Sequence, residues 1–184
     1  MTPLPLSTLS TVIGAIIIAL RLPGIIAPEK YRNFAVKFPR SVLYGRILIS
    51  IVAAIVWVVM FRAARDSDDW RWAQPIVVVG VPVAVFLVYR YGVHYLALRA
   101  TAAVMLLTAK LMVDATDVSE VELRLFVTTL AYIWVVAAIW MTVAPHHFRD
   151  LIGWAMANNQ RCRVLCSWGT LLGVILVLLG ALVY

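Results

Sequence analysis

The residues best equipped for metal or acid–base chemistry are His146, His147 and Asp150. Neighbouring residues on a helix point about 100° apart, so His146 and His147 cannot both share a face with Asp150, and third and fourth ligands are missing locally. The three are weak metal candidates and read better as interfacial side chains. His94, alone at a turn between apolar runs, is an equally thin basis for a haem or pigment site. Cys162 and Cys166 lie four apart in an apolar run, where reduced, buried thiols are expected and no disulfide framework is implied. No Gly-rich phosphate loop, nucleophile elbow, HExxH or paired intramembrane carboxylate occurs. Neither a catalytic residue, a resident metal nor a cofactor is expected.

Charge inside apolar runs is the second chemical signal. Arg21 lies in the first run beside Pro23-Gly24, while Arg99 and Lys110 interrupt a later one. Such a charge costs roughly 2.5–3.5 kcal/mol at the centre of an inserted helix, less near its end. Arg21 is expected to snorkel to headgroups, or else to hold an ion-pair partner, an anionic solute or a lipid, with Arg99 in the same layer.

The elements carrying these residues are set by composition. The chain is 64% hydrophobic and 14% charged, against roughly 45–50% and about 25% in a soluble domain, so lipid is its solvent. About 20 apolar residues cross the hydrocarbon core, and six transmembrane helices are expected. They run over 6–26, 42–61, 76–88, 95–113, 120–143 and 163–184; the third and fourth could instead form a re-entrant pair. The first run lacks a basic leader and reads as a retained span. Ser119 and Glu122 have capping-box spacing before the fifth span, and Gly169 and Gly173 form a small-xxx-small pair in the last. The fold class is an all-α integral membrane protein.

Between the first two spans lies APEKYRNFAVKFPR, Ala27 to Arg40. Tyr31, Phe34, Ala35 and Phe38 recur at helical spacing, with Lys30, Asn33, Lys37 and Arg40 on another face. Pro28 suits a first helical turn and Pro39 a last one. This amphipathic connector should lie in the membrane interface, its aromatics at the acyl boundary and its cations on phosphates.

The stretch from Ala144 repeats the pattern at an offset of 117: Ala27-Pro28 falls on Ala144-Pro145, Tyr31 on Phe148, Arg32 on Arg149 and Arg46 on Arg163. Arg21 falls on apolar Ala138. The chain thus reads as one transmembrane domain with an internal repeat: a first half over 1–63, a central helical pair and loops over 64–119, and a second half over 120–184. An even number of crossings separates the connectors, which makes the repeat parallel. Eleven of the 16 Lys and Arg fall on the connector side, so the positive-inside rule assigns both connectors to the cytoplasm and both termini to the outside. The expected location is the inner membrane of a bacterium.

The net charge of +7 lies beside apolar spans, which favours anionic lipid over nucleic acid. Lys30, Tyr31, Arg32, Phe34, Lys37, Phe38, Arg40, Arg46, Phe148, Arg149, Arg161 and Arg163 are expected to touch lipid or partner proteins. The leading expectation for function is a non-catalytic membrane subunit that packs with itself or other membrane proteins and binds lipid. A small transporter or channel for an anionic solute, using Arg21, Arg99 and Lys110, comes next, and a membrane-embedded metal or cofactor enzyme last.

Overall fold

In hydrocarbon each backbone N–H and C=O must be bonded within its own segment or by a close neighbour, so long apolar runs become helices. A computed structural model describes residues 5–66, 72–91, 96–119, 121 and 123–184, apart from the side chains at 40, 63, 66 and 91. Within them the protein is entirely helical, with no strand. The helices are α1 (Leu6–Ile26), α2 (Pro28–Lys37), α3 (Val42–Asp66), α4 (Gln74–Tyr91), α5 (Leu96–Val118), α6 (Arg124–Val143), α7 (Pro145–Ala155) and α8 (Asn159–Leu182), with a 3-10 turn over Phe38–Arg40.

Five of these, α1, α3, α5, α6 and α8, are long and apolar enough to cross a membrane, and α4 is a shorter apolar helix. The all-α membrane class expected from composition therefore holds, with five helices of spanning length and one shorter apolar helix among the described residues. Continuous helix through 76–88, despite Gly80 and Pro82, makes α4 18 residues long. The polar break expected over 89–94 is helical as far as Tyr91, and its remainder, with His94, lies outside the described residues.

Two helix starts differ from the hydrophobic pattern. α6 begins at Arg124 and not near residue 120: Leu123 is its N-cap, without a side-chain bond. The Ser119 hydroxyl donates back to the Thr116 carbonyl at 3.1 Å, while its proposed partner Glu122 lies outside the described residues. α8 begins at Asn159, four residues before the apolar run, because Asn158 is extended and the Cys162 N–H already bonds the Asn158 carbonyl.

Ala27-Pro28 and Ala144-Pro145 form closely similar joints. Ala27 has φ −130 and ψ 68, Ala144 φ −129 and ψ 65, and each donates its N–H four residues back, to Pro23 and Trp140, at 2.9 Å. α2 and α7 both start at the proline, and α3 and α8 also start 117 residues apart.

The chain groups into two compact units, residues 1–37 with 105–184, and 38–104. The centre of the first is built by Leu6, Leu9 and Ile13 of α1, Ala109, Met112 and Ala115 of α5, Val127, Leu130 and Ala131 of α6, and Leu176 of α8. Its closest helix pair is α1 with α8, antiparallel. A Cβ at Gly14 would lie 2.6 Å from the Gly173 carbonyl, and one at Gly173 2.9 Å from the Gly14 carbonyl. Gly180 meets Ser7 and Thr11 further along. The small residues of α8 thus admit the chain's own first helix. In the second unit α3 pairs with α4, and Gly45 of α3 packs against Leu96 and Ala97.

Candidate functional site at the connectors

At the other end of the α1–α8 pair the glycine seam gives way to sulfur and charge. Cys166 packs on Gly24, where a Cβ would collide with its Sγ, and the Arg21 stem lies across Gly169, with a would-be Cβ 3.1 Å from Arg21 Cγ. Cys162 and Cys166 are fully buried and free. They form a small core with Met156, against which Ile25, Tyr31, Ala35, Ile152 and Ala155 pack. Both connector helices are seated on this cluster.

Arg32 fastens them together. Its Nε donates to the Met156 carbonyl at 2.5 Å, one terminal nitrogen to Asn159 Oδ1 at 2.6 Å and the other to the Ala157 carbonyl at 3.0 Å. Those carbonyls belong to the end of α7, where a helix leaves its last C=O groups unbonded and where the macrodipole favours a cation. Arg32 is therefore a C-terminal cap supplied from 124 residues away. The Asn159 amide completes the bridge by donating Nδ2 to Glu29 Oε1 at 3.4 Å. Sequence spacing grouped Arg32 with the lipid-facing cations; its three bonds turn it inward.

The aromatic face predicted for α2 divides in the same way. Tyr31 and Ala35 face the cysteine core, while Phe34 is 47% exposed and Phe38 stacks obliquely on Tyr44 at 6.1 Å. On α7, Ile152 and Ala155 turn inward and Leu151 outward, and Phe148 meets Trp140 edge-on at 6.0 Å. Burial raises the Tyr31 phenol above its ordinary range, and the Arg21 guanidinium beside it pulls the other way.

The remaining predicted residues fall in several places. Lys30 and Lys37 are exposed on α2. Arg149 pairs with Asp150 at 2.6 Å, Arg161 lies over the Trp154 ring at 5.3 Å, and Arg163 lines a groove on α8. Arg46 lies over the Tyr89 ring at 5.7 Å in the second unit; the Arg40 side chain is outside the described residues. Lys110 is ion-paired with Asp114 one turn on, and Arg99 is exposed. His146 and His147 are exposed with their rings 4.1 Å apart, and among the described residues no group of three His, Cys, Asp or Glu could hold a metal.

Asn159, Trp154, Ser167 and Tyr89 were not singled out by their spacing. Asn159 reads as part of a polar run, and only the fold shows that Arg32 reaches it.

These features define a helical membrane protein with two short amphipathic helices locked together at one end of its first unit. Comparison with protein-family models, with curated proteins and with solved structures finds no match for this chain.

Proposed function

We propose that this protein is a non-catalytic polytopic membrane subunit that presents a rigid lipid- and partner-binding surface at the cytoplasmic face of a bacterial inner membrane. One observation carries the reading: Arg32 spends its donors tying α2 to the α7–α8 turn, while Lys30, Phe34, Lys37, Leu151 and Trp154 around that tie stay exposed. Structural bonds hold the connectors, and leave cations and large apolar side chains outside, as lipid headgroups and interfacial partners require. The excess of Lys and Arg on the connector side supports the cytoplasmic assignment. The matching helix starts and Ala-Pro joints support descent of the two halves from one duplicated unit. The transporter reading has less behind it, since Lys110 is neutralised by Asp114 and the Arg21 stem is packed on Gly169.

Purification from native membranes in mild detergent, followed by mass spectrometry of intact assemblies, tests the reading. A constant stoichiometry with itself or another membrane protein, together with retained anionic lipid, is expected. A lipid-free monomer would remove it.

A further inference from the structure

At the 117-residue offset, Arg46 and Ser50 of α3 correspond to Arg163 and Ser167 of α8. In each helix the arginine and serine stand four apart, on one face, in the first turns after a connector. Their surroundings differ. On α3 the pair is filled by Tyr89 of α4: its ring lies 5.7 Å beneath the Arg46 guanidinium, its hydroxyl bonds Ser50 Oγ, and it donates to the Arg46 carbonyl at 3.1 Å. On α8 no hydrogen bond or ion pair engages Arg163 or Ser167 among the described residues. They head an open groove of about 440 Å³, lined by Arg163, Val164, Ser167, Trp168 and Leu171.

We propose that this groove holds one anionic phospholipid, its phosphate on Arg163 and Ser167 and an acyl chain along Val164, Trp168 and Leu171. The proposal rests on the lipid-binding reading above and assigns it a place. A guanidinium offers paired donors that match phosphate oxygens, and the serine hydroxyl adds another. On the filled copy of α3 the serine hydroxyl bonds an oxygen-bearing group while the guanidinium covers that group's ring. Leu171 lies eight residues beyond Arg163, about 12 Å along the axis, so the groove turns from cationic to apolar over the depth of a headgroup and its first acyl carbons. Among the described residues Arg163 is its one charged lining residue and no acidic residue lines it, which favours net negative charge over a zwitterion.

The test uses the purified full chain in detergent with equal phosphatidylglycerol and phosphatidylcholine, read by native mass spectrometry. One phosphatidylglycerol is expected to stay bound to the wild type. Arg163→Gln should lower its retention about five-fold, the effect of removing one cation near an anionic surface. Ser167→Ala should lower it less, and Arg62→Gln, an exposed cation at the far end of α3 and outside the lipid-binding surface, should leave it unchanged. Equal losses in Arg163→Gln and Arg62→Gln would overturn the groove while leaving general lipid binding intact. No preference for phosphatidylglycerol in the wild type would remove both. A photoreactive side chain replacing Trp168 that captures protein but no phospholipid in native membranes would assign the groove to a partner helix and overturn the proposal.

Discussion

Arg32 shows how one residue can change role between sequence and fold. Its neighbours Lys30 and Lys37 belong to the same basic stretch, yet Arg32 alone caps a distant helix through three donors in a fixed fork. Lysine cannot reproduce that geometry, so Arg32→Lys should be nearly as damaging as Arg32→Gln. Both are expected to destabilise the purified protein by about 2 kcal/mol, in the range for bonds to a charged group. Thermal unfolding would show the loss, and hydrogen exchange should accelerate at the α7–α8 turn. Tyr31 carries a separate, pH-dependent contribution. Its phenol is raised by burial in the fold, so the neutral form is favoured by the native state. That stability is complete below the ordinary tyrosine range, near pH 10, and is lost as pH rises through the higher native value. Melting temperatures between pH 9 and pH 11.5 should fall less steeply in Tyr31→Phe than in the wild type.

At the scale of elements, the seam between α1 and α8 depends on what is absent from its side chains. Membrane helices gain little from burying apolar surface against one another, and associate where small residues let backbones approach. Cys162, Cys166, Gly169, Gly173, Leu176 and Gly180 alternate steps of four and three along α8, the spacing that keeps a seam on one side of a paired helix. Gly14→Leu or Gly173→Leu must separate the backbones and should cost about 1–3 kcal/mol, as overpacking does. A Cβ at Gly80 of α4 would meet nothing within 4 Å, so Gly80→Ala should be neutral or mildly stabilising. Thermal denaturation of the three variants in one detergent compares them directly. The connectors obey a second rule: each has an apolar face, but half of it belongs to the cysteine core and half to the exterior, a division that periodicity alone leaves open.

For the whole molecule, the Arg32 bonds constrain the membrane topology. They bring α2 to the α7–α8 turn, which predicts both connectors at one membrane surface with an even number of crossings between them. α3, α5 and α6 are long enough to cross. That parity predicts a fourth crossing by α4, whose 18 residues span about 27 Å, close to the roughly 30 Å hydrocarbon core. Cysteines introduced at Asn33, Arg90 and Gly153 should react with a membrane-impermeant thiol reagent from one side, and a cysteine at Arg65 from the other. Labelling of Arg90→Cys and Arg65→Cys from the same side would show that α4 does not cross. The native Cys162 and Cys166, buried in the fold, should stay unlabelled.

The sequence by itself determined the membrane class, the span from Leu6 to Ile26 and the amphipathic helix opening at Pro28, because hydropathy, proline and helical periodicity act within a few turns of chain. It also marked the second connector through the Ala-Pro joint, and Gly173 as a point of close approach. What occupied that point and which connector residues turned inward were decided by tertiary structure. Those outcomes depend on contacts between segments more than a hundred residues apart: Arg32 with Asn159, Gly14 with Gly173 and Gly24 with Cys166. Local periodicity specifies a helix and its faces, but only packing selects which face meets protein and which meets lipid.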